Sequence, residues 1–509
     1  MDHLLDAFCA SINLSSPRAW AFKSKYNEAH RRGGFTATAV LDLACLAAQL
    51  SFSGRDDRGD VSPLTRTPSE GQDNWSRTCA AAKPYCVFEP ADAADVSKAL
   101  EIVRFFQTRF AVRSGGYSPN PGHANVDGGV LIDLHKLDGI DLSDDGTVAR
   151  IGPGARWGDV YAALDPYEVS VIGARVPDVG VGGSVLGGGM FHFSGEFGLA
   201  ADNVKNFEIV LADGTITNAN ATENADLFWA LKGGGPNFGI VTRYDLYTVP
   251  VRDIWYRVDA YPVDEAEAIL DAMARWQLEG AADLKATVAL VLSLDSVVVG
   301  LLYSAPADQP SAFAPFYEFQ PLVTLVPPTN GTVTTLTDFI GKMFTYEPKR
   351  HDTRSASSRI DAQLYKDVWR VWKARAREVR ETTGAHQTFT IQPVPRTVKE
   401  QGLKHGGNPM GIPLEDHQWW TTVIDWRDAK DDDLVRSIAI ETCDAWKTLG
   451  QERGSYLPYI FMNDSSRDQN PLAAYGPENL AKLRHIALKY DPEQLFQRLQ
   501  NGGFLLSKA

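Results

Sequence analysis

The sequence contains few cysteines, and they follow no recognisable pattern. Only five of its 509 residues are cysteine, and none forms a C-x-x-C pair. So sparse and odd a set argues against a disulfide-stapled scaffold and against a structural zinc site. A single bridge, for instance between Cys45 and Cys86, is compatible with the set, but spacing alone does not assign it. No cluster of His, Asp and Glu has metal-ligand spacing either, so we expect no bound metal.

Long apolar runs are also missing. No stretch approaches the roughly 18 apolar residues that a membrane-spanning helix needs. The first residues, MDHLLDAFCASINLSS, lack the basic start and the apolar core of a secretory signal. We therefore expect no membrane partner and a cytoplasmic location.

Positive charge is in deficit. Fifty Lys and Arg residues face 64 Asp and Glu residues, which leaves a net charge of −14. A surface of this sign repels a phosphate backbone, so nucleic acid is disfavoured as a partner. The chain is too long for one hydrophobic core, and its length predicts two or three domains. The sequence does not indicate the oligomeric state.

Two familiar nucleotide-binding patterns are absent although glycine clusters are frequent. Neither G-x-G-x-x-G nor the P-loop pattern occurs, which disfavours a Rossmann fold and a Walker NTPase. The segment 111–130, AVRSGGYSPNPGHANVDGGV, nevertheless runs from an apolar stretch into paired glycines, and further clusters begin at Gly152, Gly180 and Gly233. Glycine lets backbone amides approach a ligand closely, and successive N–H groups form an anion cradle. Several such clusters fit an extended cofactor that carries phosphate.

Composition changes along the chain predict four parts. They are an N-terminal extension over residues 1–34, a glycine-rich domain over 35–250, a second domain over 251–455, and a C-terminal segment over 456–509. Within the first domain the pattern predicts an apolar helix at 37–52 and a polar loop at 53–78. A strand at 85–90, a helix at 94–107 and a strand at 110–114 then lead into the first glycine cluster.

Several segments together resemble a known family. They are RSGGYSPNPG, IGPGARWGDVY, RVPDVGVGGSVLGGG, NADLFWALKGGGPNFGIVT and YDPEQLFQRLQNGGF. In this order they resemble the FAD-linked oxidases similar to berberine bridge enzyme, within the vanillyl-alcohol oxidase (PCMH-type) flavoproteins. The resemblance covers roughly residues 82–250 and 456–505, and the middle domain agrees only in outline. It implies an α+β fold, in which a PCMH-type FAD-binding domain of two α/β subdomains joins a substrate domain with an antiparallel sheet flanked by helices.

The resemblance also implies FAD as cofactor and indicates which residues contact it. The first turn would hold the pyrophosphate through backbone amides, and the next glycine run would line the cofactor channel. A strand start would lie at the adenosine end, and an asparagine near the C-terminus would lie at the flavin. The residues are Arg113, Ser114, Gly115, Gly116, Tyr117 and Ser118; Val179, Gly180, Gly183, Ser184, Gly187, Gly188 and Gly189; Ile240 and Val241; and Asn463.

Two positions depart from the family pattern. Tyr117 stands where most relatives carry a histidine bonded covalently to the flavin, and Val176 stands where doubly linked relatives carry a cysteine. We therefore expect FAD to be held without a covalent bond. Tyr117 itself, or His123 from the same loop, is the alternative linker. An unlinked flavin is expected to be a milder oxidant than the linked flavins of this family.

His192 and Tyr459 are the candidate catalytic residues. Histidine titrates near neutrality and suits acid–base work, whereas Tyr459 belongs to the segment expected to return to the flavin. Val179 matches a position where oxygen-reactive relatives tend to carry a small residue, which favours an oxidase. His386, Gln392 and Trp419 lie on strands expected in the substrate domain, where core packing is the simpler interpretation. The resemblance also places Ser184 near the flavin C2 carbonyl.

These observations predict an FAD-dependent oxidase of a small natural product. Hydride would pass to flavin N5, O2 would be the electron acceptor, and the product could cyclise in the same pocket. One alternative is a non-redox cyclase, for example a pericyclase, on the same scaffold with FAD in a structural role; the missing linker histidine motivates it. A sugar oxidase is less favoured because those relatives tend to be doubly linked.

Overall fold

The computed structural model describes residues 2–31, 35–52, 60–63, 74–343 and 349–509. Within these ranges the strands are β1 (Asp60–Pro63), β2 (Cys86–Glu89), β3 (Phe110–Arg113), β4 (Val130–Asp133), β5 (Ile140–Leu142), β6 (Val148–Ile151), β7 (Ser170–Val171), β8 (Val204–Val210), β9 (Ile216–Asn220), β10 (Ile240–Val249), β11 (Asp253–Pro262), β12 (Ala286–Leu292), β13 (Ser296–Tyr303), β14 (Val323–Thr332), β15 (Arg350–Arg359), β16 (His386–Gln387), β17 (Phe389–Val394), β18 (His417–Trp426) and β19 (Tyr456–Leu457).

The α-helices of the same ranges are α1 (Asp2–Ser11), α2 (Ser16–Arg31), α3 (Ala37–Phe52), α4 (Arg77–Ala80), α5 (Ala93–Phe106), α6 (Trp157–Leu164), α7 (Val181–Leu186), α8 (Ser194–Phe197), α9 (Ala225–Leu231), α10 (Ala266–Leu278), α11 (Val333–Met343), α12 (Ala362–Thr383), α13 (Thr397–Lys404), α14 (Asp432–Glu452), α15 (Pro471–Ala474), α16 (Pro477–Tyr490) and α17 (Leu495–Arg498). Short 3-10 helices lie at Asp165–Tyr167, Ala200–Asn203, Val263–Glu265, Gly280–Ala282, Ser311–Phe316, Ala429–Asp431, Met462–Asp464 and Leu506–Lys508. No helix in the part of the chain that the structure describes is long and apolar enough to cross a membrane.

The first sheet has the strand order β1-β2-β4-β3, and its last three strands run parallel. The predicted strand–helix–strand unit is confirmed as β2, α5 and β3. The side chain of Asp92 accepts a hydrogen bond from the Asp95 amide at 2.8 Å, which satisfies a free donor at the start of α5. Gln107, in the left-handed conformation, ends that helix. The strand β3 ends at Arg113, and the first glycine cluster follows it directly.

The loop predicted over 53–78 is wrong in part. Residues 60–63 form β1, which pairs antiparallel with β2, and α4 begins at Arg77. The short sequence DVSP has no hydrophobic alternation that would indicate a strand. In the structure β1 is an edge strand, with β2 as its neighbour in the sheet. The remainder of the predicted loop at 53–59 and 64–73 lies outside the described residues, as do residues 32–34 of the predicted N-terminal extension.

The N-terminal helices pack on the outer face of α5. The ring of Phe8 stacks on that of Phe105 with centroids 3.9 Å apart, and Phe22 contacts Phe8 at 5.5 Å. A disulfide between Cys45 and Cys86 joins α3 to β2 across a Cα–Cα distance of 6.2 Å. It assigns the pairing that spacing left open. Because disulfides persist mainly in oxidising compartments, this bond does not favour the cytoplasmic location, which stays a prediction.

The second sheet is antiparallel and has the order β5-β6-β10-β8-β9, with β7 paired to the end of β10. The long strand β10 lies at its centre and is bonded to both β6 and β8. Its core includes Trp157, Tyr161 and Phe207, all almost fully buried. The helix α7, which carries the second glycine run, packs in this core through Val181 and Val185.

The third sheet is antiparallel and has the order β14-β11-β13-β12-β17-β18-β15-β19, with β16 paired to β18. Residues of β12 are buried alternately, so the sheet has two distinct faces. One face shares a tryptophan-rich core with α10, α12 and α14. The opposite face of β12 contacts the segment that follows the second glycine run, where Thr287 Oγ1 donates a hydrogen bond to the His192 carbonyl at 2.6 Å. The predicted α+β fold, with an antiparallel substrate sheet flanked by helices, is confirmed; the four domain boundaries stay a prediction.

Candidate functional site

Two glycine turns meet backbone to backbone. We call residues 113–118 the first turn and residues 178–182 the second turn. A Cβ added to Gly115 would lie 2.5 Å from the Gly180 Cα and 2.7 Å from its amide nitrogen. Gly116 adopts a φ of 63°, a conformation that glycine tolerates best. Among the described residues the amide N–H groups of Gly115 and Gly116 donate no hydrogen bond, so the first turn offers two donors to an anion.

The first turn is held in place from three sides. Arg113 forms a buried ion pair with Asp133 on the neighbouring parallel strand. Ser114 Oγ donates a hydrogen bond to the carbonyl of Pro153. The amide of Trp75 donates to the carbonyl of Gly116 at 3.0 Å. The side chains of Arg113 and Ser114 therefore position the turn, and its contact with the cofactor through backbone amides stays a prediction.

The next glycine run brings α7 and the C-terminal segment together. Asn463 Oδ1 accepts a hydrogen bond from the Gly189 amide at 2.9 Å, and its Nδ2 lies 3.5 Å from the Gly183 carbonyl. Gly187 abuts the Asn463 amide so closely that a Cβ would lie 2.1 Å from Nδ2. Gly188, with a φ of 117°, packs under Phe461 and Met410. Residues predicted from two distant parts of the sequence thus lie side by side.

Gly183 borders open space. A Cβ built there meets no heavy atom within 4 Å, in contrast to those at Gly180, Gly182 and Gly187. Its position between the second turn and Asn463 fits the predicted cofactor channel. This opening, the free donors of the first turn and the steric need for glycine at their contact fit a dinucleotide that carries a pyrophosphate.

Ser184 and the start of β10 are placed differently from the other predicted contacts. Trp157 Nε1 donates to Ser184 Oγ at 2.8 Å, and this hydroxyl donates in turn to backbone carbonyls of its own helix, with Gly180 O at 2.8 Å. Its proton is therefore engaged at the start of α7, and the position of Ser184 near the flavin C2 carbonyl stays a prediction. Ile240 and Val241 are both 3% exposed and belong to the hydrophobic cores, so their contact with the adenosine end stays a prediction.

Tyr117 belongs to a stack of three rings. Its ring lies 4.5 Å from that of Trp75 at an interplanar angle of 6°, and Trp75 stacks in turn on His351 at 3.9 Å. The stack connects the first turn to β15 of the third sheet. The alternative linker His123 contacts the Phe504 ring edge-on at 5.0 Å, and burial lowers the pKa of His123 to about 4. Val176 and Val179 are half-buried; Val179 belongs to the second turn and Val176 precedes it.

A cavity lies between residues 190–195 and the strands β12 and β17. Its polar lining residues are Arg175, His192, Thr287, Thr390 and Gln392, and the remaining ones are apolar or glycine. Gln392 accepts a hydrogen bond from the Arg175 guanidinium and donates one to Asp464 Oδ2 at 2.8 Å. The cavity therefore combines largely apolar walls with a few convergent polar groups, the composition typical of a small-molecule site.

Neither catalytic candidate is charged at neutral pH in this structure. Burial, helped by the charge of Arg175, lowers the pKa of His192 to about 3, and its Nε2 has no hydrogen-bond partner among the described residues. Burial raises the pKa of Tyr459 well above its ordinary value; its hydroxyl is likewise unpartnered there, and its ring stacks on Trp419 at 5.2 Å. A general base works best with a pKa near the operating pH. His192 is thus a neutral imidazole with one donor and one acceptor nitrogen, and Tyr459 is a neutral phenol; their catalytic assignment stays a prediction.

The other candidates divide between cavity and core. Gln392 lines the cavity, and Trp419, its cross-strand partner, is buried between Tyr459 and Phe461. His386 is exposed, with Nδ1 3.4 Å from an Asp425 oxygen, and it is not among the lining residues.

The sequence patterns did not predict three residues of the site, Trp75, Asp464 and Arg175. Trp75 follows a polar stretch without periodicity, and only its contact with Tyr117 reveals a role. Asp464 follows Asn463 directly, but its bond to Gln392 spans 72 residues of sequence. Of the three, Arg175 had the clearest sequence signal, because a lone cation inside the glycine-rich run GARVPDVGVGG is unusual.

Replacing Gly183 by alanine should weaken FAD binding without destabilising the protein that lacks FAD. The added methyl meets no protein atom within 4 Å, and alanine is favoured over glycine inside a helix by up to about 1 kcal/mol. It would instead enter the proposed channel, so we expect the Kd for FAD, measured by quenching of flavin fluorescence, to rise about tenfold, or about 1.4 kcal/mol. Gly139→Ala, also without a heavy atom within 4 Å, is the control. Equal FAD affinities of the two variants would show that Gly183 lies outside the channel.

Comparison with known proteins agrees with this geometry. A family model described as an FAD binding domain matches residues 84–220. An FAD-dependent monooxygenase from Arthrobotrys oligospora is 40% identical over 437 residues, which cover 85% of this chain and 84% of the relative. The bifunctional solanapyrone synthase of Alternaria solani is 33% identical over 451 residues, which cover 86% of each protein.

Solved structures share the fold at low identity. The BBE-like 1 protein of Physcomitrella patens aligns with a TM-score of 0.74 and 18% identity, covering 92% of this chain and 99% of that one. The xylooligosaccharide oxidase of Myceliophthora thermophila C1 aligns with a TM-score of 0.74 and 19% identity, covering 90% and 98%. These likenesses confirm the architecture, and the curated relatives add the cofactor. The chain belongs to the FAD-linked oxidoreductase family of these FAD-dependent relatives, and it has the fold of the berberine bridge enzyme-like proteins.

Proposed function

We propose that this FAD-linked oxidoreductase is an oxidase of a small, largely apolar secondary metabolite with O2 as electron acceptor. The observation that carries the proposal is the cavity between residues 190–195 and the strands β12 and β17. FAD, when bound, supplies the acceptor for a hydride from the substrate. The protein's part is to bind the substrate, orient it and keep water away.

The cavity walls favour an apolar molecule over a sugar. A sugar presents hydroxyl groups on every side, and each would need a hydrogen-bond partner once it is buried. Here the strands contribute mostly apolar side chains, and the polar groups are confined to a few positions. The carbohydrate oxidases among the structural neighbours are about one-fifth identical to this chain, a level that supports a common fold and not a common substrate.

His192 and Gln392 are the groups of the cavity best placed to orient a substrate. The hydrogen bond from Thr287 fixes the backbone of His192, and Gln392 is held between Arg175 and Asp464. A neutral His192 can accept a hydrogen bond from a substrate hydroxyl, and it would have to gain basicity in the substrate complex to take the proton. Val179, half-buried in the second turn, supports the assignment of O2 as acceptor.

The oxidase assignment predicts a defined stoichiometry. With a panel of small apolar alcohols and amines, a turned-over substrate should bleach the flavin under argon, and air should restore the colour with one H2O2 formed per substrate. The measurements are flavin absorbance, H2O2 yield and 18O2 labelling of the product. The names of several relatives make a monooxygenase the competing outcome. Label in the product, without H2O2, would favour that reading and contradict the oxidase.

We also propose that FAD is held without a covalent bond. The ring of Tyr117 stacks face to face on Trp75, which engages the side chain at the linker position in a protein contact. Acid precipitation of the purified yellow protein should therefore leave flavin in the supernatant. A yellow pellet would contradict the proposal and would call for variants of Tyr117 and His123 to locate the bond.

A second candidate is a cyclase on the same scaffold. One relative is named a bifunctional synthase, which favours an enzyme that performs more than the oxidation. A cyclase would convert a suitable substrate into an isomer while the flavin is kept reduced under argon. Dependence of every product on O2 would exclude a separate non-redox activity.

A further inference from the structure

Arg175 has fewer partners than a guanidinium in its surroundings usually has. Its five N–H donors can serve several acceptors, yet among the described residues it makes one hydrogen bond, to Gln392 Oε1. No carboxylate of those residues lies within ion-pair distance of it. The acidic group that influences it most is Asp464, which reaches it through Gln392.

Asp464 does not pair with this cation directly, because the side chain of Gln392 bridges them. Burial raises the pKa of Asp464 above its ordinary value, although Arg175 and Gln392 oppose the shift. Arg175 is half-buried on the cavity wall, and this burial lowers the pKa of its guanidinium. A desolvated charge is costly unless it is paired and hydrogen-bonded. Among the described residues no carboxylate therefore neutralises the positive charge of Arg175 by direct contact.

The guanidinium lies on the wall of the cavity. Arg175 is a lining residue together with His192 and Gln392, and apolar residues make up most of the remainder. A cation in such walls strongly prefers an anionic oxygen, and the planar fork of arginine matches a pair of oxygens. Gln392 receives one N–H and so fixes the orientation in which the others are presented.

We infer that Arg175 anchors an acidic oxygen of the substrate, either a carboxylate or the enolate of a 1,3-dicarbonyl. This inference rests on the proposed function only in taking the cavity as the substrate pocket. The anchor would place one end of the substrate near Gln392 of β17 and direct the remainder along the apolar residues of the strands. Arg175 is thus a residue that selects the substrate class, and His192 and Tyr459 stay the candidates for the chemistry.

The test measures binding of simple probes to the FAD-loaded protein, without turnover. Benzoate and benzamide are nearly the same shape and differ in charge; dimedone adds an acidic 1,3-diketone. Flavin difference spectra and calorimetry give their Kd values. We expect benzoate or dimedone to bind the wild type at least about tenfold more tightly than benzamide, as a charge-assisted pair should. The preferred acid identifies which kind of oxygen the site takes.

Variants assign that preference to Arg175. Arg175→Gln should abolish the discrimination between benzoate and benzamide, whereas Arg175→Lys, which keeps the charge and loses the fork, should retain part of it. Arg380→Gln, at an exposed ion pair with Asp295, is the matched control and should behave as wild type. If neither acid outcompetes benzamide on the wild type, or if R175Q retains the preference, the inference is wrong. Should R175Q lose its FAD, the wild-type and R175K measurements still decide. Since no turnover is measured, failure of the oxidase proposal would leave this result intact.

Discussion

Asp133→Asn should lower the free energy of unfolding of the part of the protein around the first sheet by about 3–5 kcal/mol. Arg113 and Asp133 face each other on parallel strands, and both side chains are less than 10% exposed. Removing one charge of a buried pair leaves the other desolvated and uncompensated, which costs far more than the pair contributes at a surface. Because Arg113 begins the first turn, the loss should also reduce FAD content. Urea unfolding and flavin absorbance measure the two effects.

The pH dependence of this effect has a definite sign. Burial alone would raise the pKa of Asp133, but the hydrogen bond with His135 and the charge of Arg113 outweigh it, so the pKa lies below its ordinary value. A lowered folded-state pKa contributes stability above the unfolded pKa, about 3.9, and the contribution is lost as pH falls through the folded-state value. The difference in the free energy of unfolding between the wild type and D133N should therefore narrow below about pH 4.

The matched control is Asp253→Asn, which breaks the exposed ion pair with Arg252. Exposed pairs contribute at most about 1 kcal/mol, so D253N should unfold almost as the wild type does. A similar, small loss in both variants would show that the Arg113 pair is not the anchor of the first turn.

Gly115→Ala should abolish or strongly weaken FAD loading. The new Cβ would lie 2.5 Å from the Gly180 Cα, and because both atoms belong to backbone, relief requires the first and second turns to separate. Overpacking of this kind costs about 1–3 kcal/mol in a close-packed interior. Separation would also move the free amides of the first turn away from the ligand. Flavin content after purification and the thermal midpoint of the protein reconstituted with FAD are the measurements.

Gly139→Ala again serves as the control, since its Cβ meets nothing within 4 Å. The reciprocal variant, Gly180→Ala, should reproduce the loss, because its Cβ would lie 2.5 Å from the Gly115 Cα. Normal FAD loading of G115A would mean that the two turns can part without consequence, and that the backbone contact does not shape the site.

Local patterns predicted much of the fold because they depend on neighbours in sequence. The helix at 37–52 and the strand–helix–strand unit before the first turn follow from hydrophobic periodicity and turn residues, and the structure confirms them. The glycine clusters predicted the turns for the same reason, since the need for positive φ or for close approach is local. The strand β1 was missed because its sequence has no period and it exists only through pairing with β2.

The site depended more on residues that meet across long distances. Arg175 and Gln392 are 217 positions apart, and Trp75 reaches both Tyr117 and His351. Neither spacing nor composition specifies such contacts, which form when the third sheet packs against the glycine-rich part of the chain. Ser184 shows the converse: the motif predicted where the residue lies, but not that its hydroxyl is bonded at the start of its own helix.

The amino-acid sequence by itself determined the family, the cofactor and the places where the backbone must come close, because glycine content and hydrophobic period are properties of short segments. Only the tertiary structure decided the Cys45–Cys86 pairing, the buried and uncharged state of His192 and the exposure of Arg175 to the cavity. Those properties depend on burial and on charge at a distance, and both arise when remote segments exclude water from the same space.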